Sequence, residues 1–225
     1  MKKIVLFLII VFLCTGCSAK DDKRQINILN WSSYIPSDVI IAFEEETGID
    51  VNYGTYSSNE ELLAKLSVAR EGTYDLIFPS DYMVELMSNK GLLEEIDKNR
   101  LVNYSNIDPI FLNQSFDYNN NYSLPFLMTY VVIAVDRGVV LDNISSYSDL
   151  FNDKYNNNIV VLDDQRIVIG VALKSLGYDI NSLSDINYND TKTFLLGLKK
   201  NIKAFDSDSP KSFLITDEVD IGLMW

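Results

Sequence analysis

Three pairs of residues in this 225-residue chain could do chemistry at a site. Asp163 and Asp164 form an adjacent acidic pair, Trp31 and Tyr34 an aromatic pair, and Ser80 and Tyr82 a hydroxyl pair beyond Pro79. Paired carboxylates could transfer protons or hold cations. Adjacent residues usually point apart, however, and neither aspartate has an acidic partner one helical turn on, where Ile167 and Val168 stand. The chain has no histidine, which excludes His-based triads, His-ligated zinc and imidazole acid–base chemistry. An enzyme here would have to run on carboxylates, Ser, Tyr or Lys. An aromatic face attracts a desolvated cation by about 0.5–2 kcal/mol and packs against its methylenes. Each residue also has a plain structural reading: Trp31 and Tyr34 as core aromatics, Ser80 and Asp164 as turn or N-cap residues.

The elements that must position these side chains alternate along the chain. Residues 26–31 alternate apolar and polar and predict a strand. Pro36 and Ser37 open a helix through Thr47, with Val39, Ile40 and Phe43 on one face and Gly48 as its stop. A second strand is predicted over 50–56. Ser58 and Glu61 have capping-box spacing ahead of a helix that carries Leu62, Leu63, Leu66 and Ala69 and ends at Gly72. A third strand follows over 74–78, then a helix over 82–89. This βαβαβ rhythm predicts a parallel sheet covered by helices. Trp31 and Tyr34 then lie at the carboxyl end of the first strand, and Ser80 and Tyr82 after the third, where open α/β sheets place ligands. Residues 124–135, broken by Pro125, predict extended chain crossing to a second lobe. Beyond it come a strand over 159–162, a helix over 165–176 closed by Gly177, a helix over 190–200 and a strand over 219–225. That strand reaches Trp225 with no polar tail, which leads to the expectation of a fragment lacking a C-terminal part.

The N-terminus and the charge balance narrow the class. Lys2 and Lys3 precede an apolar run over 4–13 and then Cys14, Thr15, Gly16 and Cys17. This is a secretory signal, too short to span a bilayer stably. Cys17 after Gly16 is the lipoprotein arrangement, looser than usual because Cys14 stands where Leu is commonest. The expectation is that residues 1–16 are removed, Cys17 is acylated and residues 17–25 form a tether; more than one acyl chain is needed for stable attachment. The chain carries 32 Asp and Glu against 19 Lys and Arg, a net charge of −13. That argues against nucleic acid, which needs clustered basic residues. After processing Cys17 is the single cysteine, so no internal disulfide is expected despite the oxidising compartment. With 47% hydrophobic residues the chain can bury a substantial core.

Several motifs, in order, resemble the periplasmic polyamine-binding proteins that serve ABC importers. They are LNWSSYIP over 29–36, FEEETGIDV over 43–51, YDLIFPSDY over 74–82, LDD over 162–164 and IGLMW over 221–225. The resemblance implies an α/β, two-lobed periplasmic-binding-protein fold of type II-like topology, incomplete at the C-terminus. The first lobe would span 26–130 and the second 131–225, with a hinge near 127–135. It implies a polyamine ligand, putrescine or spermidine, lined by Trp31, Ser32, Tyr34, Ser80 and Tyr82 from the first lobe and by Asp164, Ser207 and Trp225 from the second. It further implies importer membrane subunits as partners, an extracytoplasmic location, no catalysis and no cofactor. One departure stands out. Spermidine-binding members carry an acid three residues after the Asp164 position, and this chain has Ile167. Three competing classes are a same-fold receptor for another solute, an envelope enzyme using Asp163 and Asp164, and a scaffold lipoprotein that binds no small molecule.

Overall fold

The structure, a computed structural model, describes residues 24–182 and 184–225. The expected signal segment 1–16, the acylation residue Cys17 and the tether up to Lys23 lie outside the described residues.

The first sheet contains β1 (Gln25–Trp31), β2 (Asp50–Tyr56) and β3 (Leu76–Ile77) in the order β2-β1-β3, with both pairings parallel. Helices α1 (Ser37–Thr47) and α2 (Asn59–Val68) connect the strands, and α3 (Asp81–Asn89) follows β3. β1 begins one residue before the expected start, at Gln25, and β3 shrinks to two residues. Gly48 closes α1 as expected, in the left-handed conformation with φ 66° and its N–H donated to Glu44 O. Val39 and Phe43 are exposed and the helix buries none of its residues, because periodicity states which side is apolar but not what covers it.

The start of α2 departs from the capping box in an instructive way. Ser58 Oγ accepts from the Glu61 N–H at 3.2 Å. The Glu61 carboxylate returns one residue further out, to the N–H and hydroxyl of Ser57, both at 2.8 Å. Its other oxygen pairs with Lys65 Nζ at 2.7 Å. The helix stops at Val68, short of Gly72.

The second sheet contains β4 (Val132–Val135), β5 (Ile159–Val161), β6 (Ile202–Phe205) and β7 (Ile221–Met224) in the order β4-β7-β5-β6. β5 runs parallel to both its neighbours, and β4 pairs antiparallel with β7. Helices α4 (Gln165–Ser175), α5 (Asp185–Leu198) and α6 (Pro210–Ile215) complete it. β6 and α6 were not anticipated. α5 starts five residues before the expected position, capped by Ser184, whose hydroxyl accepts from the Asn187 N–H. The apolar run of β5 is buried at all three residues, the mark of a strand covered on both faces. α6 approaches β7 closely, since a Cβ added at Gly222 would stand 2.9 Å from Leu214 Cδ1.

Two apolar clusters hold these layers. Leu29, Trp31, Tyr56, Leu62, Met83 and Met87 form the first; Ile159, Val161, Leu150, Leu198, Ile221 and Leu223 belong to the second. Residues 124–131 have no regular structure and lead into β4. No helix among the described residues is long and apolar enough to cross a membrane.

Candidate functional site

Parallel pairing brings strand ends together, so the residues just beyond them share one edge of a sheet. In the first sheet β1 and β2 finish in register at Trp31 and Tyr56. Their rings lie 4.7 Å apart, with the Tyr34 ring 6.0 Å from Trp31. Trp31 is only 5% exposed. Its Nε1 donates to the Phe78 carbonyl at 2.9 Å, and the Tyr56 hydroxyl donates to the same oxygen. One carbonyl just past β3 therefore ties both aromatics to the segment that carries Ser80 and Tyr82. Burial pushes the Tyr34 phenol above its ordinary pKa, and burial chiefly, with Tyr34 adding, pushes Tyr56 higher. Ser32 sits exposed in the turn between Trp31 and Tyr34, outside this cluster.

In the second sheet Asp164 caps α4, its carboxylate accepting from the Ile167 N–H at 3.0 Å. Asp164 is 2% exposed, whereas Asp163 faces solvent. The two acids diverge, as adjacent residues should, and form no paired-carboxylate site. The Tyr82 hydroxyl reaches the Asp164 oxygens at 3.3 and 3.4 Å. Burial first, then the charges of Asp164 and Glu60, raise the Tyr82 pKa.

A residue that the sequence reading passed over joins these groups. Asn59, fully buried at the first position of α2, donates from Nδ2 to Ser80 Oγ and Tyr82 OH, each at 3.0 Å. The same nitrogen donates to Asp164 Oδ2 at 3.3 Å. Ser80, Tyr82 and Asp164 thus meet through Asn59, across the two sheets. The signal available was a polar residue directly after a cap that Ser58 already provides.

Ser207 and Trp225 share the Asp164 end of the second sheet. The Asp206 N–H donates to Val161 O at 2.9 Å, which sets Ser207 just past β6, beside the end of β5. Ser207 Oγ is buried and makes no hydrogen bond among the described residues. Trp225 follows β7, which runs parallel to β5, and is half-buried. The structure therefore gathers two groups, Trp31–Tyr34–Tyr56 and Asn59–Ser80–Tyr82–Asp164, and leaves Ser32 outside both.

The electrostatics of the second group are specific. Asp164 is enclosed by neutral donors, and no Lys or Arg among the described residues pairs with it. A buried carboxylate so placed can accept a charge-assisted hydrogen bond from a cation. Among the described residues no cluster of His, Cys, Asp or Glu is arranged to hold a metal ion. Concave surfaces elsewhere, beside Asn27, Asn52 and Lys65 and around Asp142 and Lys154, lie away from these residues. In the latter the acid is already ion-paired with Lys154.

Comparison with known proteins places the chain. Residues 38–225 match the model of the family described as bacterial extracellular solute-binding protein. The spermidine/putrescine-binding periplasmic protein of Escherichia coli is 38% identical over 216 residues, covering 95% of this chain and 62% of that protein. The putrescine/cadaverine-binding protein of Pseudomonas aeruginosa is 31% identical, covering 100% of this chain and 63% of that protein. Among solved structures, the TpPotD lipoprotein of Treponema pallidum superposes with a TM-score of 0.81 at 30% identity, over 89% of this chain and 63% of its own. The chain thus spans slightly less than two thirds of the length of these relatives. The two-lobed α/β binding-protein fold of these neighbours, the matched family and the sheets that face each other through Asn59, Tyr82 and Asp164 agree: the chain belongs to the bacterial extracellular solute-binding proteins.

Proposed function

We propose that the protein is an extracytoplasmic receptor that captures a linear polyamine, of the putrescine or spermidine class, for an ABC importer. The observation that carries the reading is Asp164: a buried carboxylate held by neutral donors, with an aromatic cluster at the facing sheet end. A polyamine alternates ammonium groups with methylenes. It suits a site that alternates a carboxylate with aromatic walls. Asp164 would fix one ammonium, Trp31 and Tyr34 would flank the methylenes, and Ser32, Ser80, Tyr82, Ser207 and Trp225 would complete the lining. The orphaned Ser207 hydroxyl supports this, since a buried polar atom calls for a partner.

The lobes in this reading are residues 26–130 and 131–225, moving about a hinge near 127–135, where exposed chain without regular structure runs into β4. Closure would expel water and strengthen the carboxylate–ammonium contact. The role is binding rather than catalysis, in keeping with the transport proteins that the chain matches. An anchor through acylated Cys17 has the support of the N-terminal pattern and of a structural relative that is itself a lipoprotein. Fatty-acid labelling should therefore fail in Cys17→Ser; label that persists places the anchor elsewhere.

Calorimetric titration with putrescine, spermidine and an uncharged diol of matching length tests the ligand class. Binding of the amines and not of the diol is expected. Heat for the diol as strong as for putrescine, or none for either amine, refutes the assignment.

A further inference from the structure

Asn59 makes four polar contacts, and none serves its own helix. Ser58 already caps α2. The side-chain partners of Asn59 lie 21, 23 and 105 residues away, at Ser80, Tyr82 and Asp164. The orientation of its amide is fixed, because Oδ1 accepts from the Ser80 backbone N–H at 3.2 Å. A reversed amide would leave that N–H without an acceptor and set an oxygen against a carboxylate. Nδ2 offers two protons and no acceptor, so both hydroxyls must accept from it, and the longer contact to Asp164 shares one of those protons. The proton of Tyr82 is then left to point at Asp164, which it meets at 3.3 Å.

We propose that Asn59 is the positioning residue of the site: a neutral, buried amide that orders the hydroxyls of Ser80 and Tyr82 and the carboxylate of Asp164 into one unit spanning both sheets. Any effect on ligand affinity rests on the cation-binding reading above; the ordering itself is a property of the ligand-free protein. The titratable groups that face Asn59 are Tyr82 and Asp164, and Glu60 adds its charge to Tyr82. Burial and those two charges raise the Tyr82 pKa, so the phenol stays neutral even where an ordinary tyrosine would ionise. Asp164 is therefore the group that a charge at position 59 would meet.

The test is a charge swap read by thermal unfolding without ligand. Asn59→Asp puts two carboxylates at hydrogen-bond distance, so one of them must hold a proton in the folded state. Its folded pKa is raised above the unfolded value of about 3.9. The stability of the variant is then best preserved near pH 4 and falls as pH rises. The deficit against the parent protein should grow toward pH 8, reaching about 4–10 °C in Tm. Asn59→Asp combined with Asp164→Asn restores one acid and one amide and should recover most of that loss at every pH. A space-filling residue would give a pH-dependent deficit from burial of the new charge alone, but no recovery in the swap. A deficit for Asn59→Asp that is flat with pH, or a swap no more stable than the weaker single variant, overturns the proposal. Should Asn59→Asp fail to fold, the swap alone decides: folding supports the ordering and failure refutes it. Putrescine titration of the parent protein is scored apart, so a swap that recovers beside a parent that binds no amine rejects the ligand and keeps Asn59.

Discussion

β1 and β2 of the first sheet are half-buried or exposed along most of their length and become fully buried only near their carboxyl ends, at Leu29, Asn30, Trp31 and Tyr56. β5 of the second sheet is buried at every residue, and its carboxyl end passes through Leu162 and exposed Asp163 before reaching Asp164. In the first sheet the deepest packing and the proposed site therefore share a side chain, Trp31. In the second they are different residues of one segment. Stability and affinity should be inseparable in the former and separable in the latter.

Trp31→Ala is the strongest challenge to this contrast. It removes a buried ring from the first cluster, the bond to the Phe78 carbonyl and a face proposed to meet the ligand. Denaturant unfolding should show a loss of about 3–5 kcal/mol, with putrescine affinity falling about ten- to a hundredfold where the variant folds. A loss in one measurement alone would separate what the first sheet is held to combine. Ile159→Ala asks the converse at the far end of β5. Unfolding should cost about 2–5 kcal/mol, while affinity measured on the folded protein should hold within about threefold, a change of about 0.65 kcal/mol.

How far these residues could be read without coordinates depended on how local their determinants are. The order of strands and helices follows from short apolar periods, and the end of α1 from Gly48. The exposure of α1 was not legible because burial needs a neighbour that periodicity does not name. β6 and α6 were passed over because four- and six-residue elements carry too little pattern. Asp164 was legible as a cap, which is a contact over three residues. Asn59 was not, because its side-chain partners are brought to it only by the assembly of both sheets.

Asp164→Asn sharpens the comparison from the second sheet. Asn can still accept from the Ile167 N–H as an N-cap, so stability should change by no more than about 1 kcal/mol. Amine affinity should fall at least about tenfold, since an ammonium loses its counter-charge in a closed site. Parallel calorimetry and denaturant titration check this, and unchanged affinity would remove Asp164 from the site.

The smallest expected effect lies outside both sheet ends. Hydrogen bonds from Lys65 first, and then from the Ser57 N–H, lower the Glu61 pKa to about 2. A carboxylate with a depressed folded pKa contributes stability above its unfolded pKa of about 4.3 and loses it as pH falls toward 2. The Lys65 pair is solvent-exposed, so Glu61→Gln should cost under about 1 kcal/mol at pH 7. The difference from the parent protein should shrink as pH falls from about 4.3 toward 2. Melts at pH 7 and pH 3 would show it.

The chain has two tryptophans, and each ends or follows a strand that points toward the proposed site: Trp31 closes β1 in the first sheet and Trp225 follows β7 in the second. The protein therefore carries its own optical probe, one indole on each side of the gap. Excitation confined to the indole band would report on this region of the 225-residue chain. A change of emission colour or quenching on adding an amine would register the site directly, with no label attached and no residue replaced. The indole buried against Tyr56 and the half-buried one at Trp225 should answer with different intensities, so the two walls of the site could be followed apart in a single cuvette.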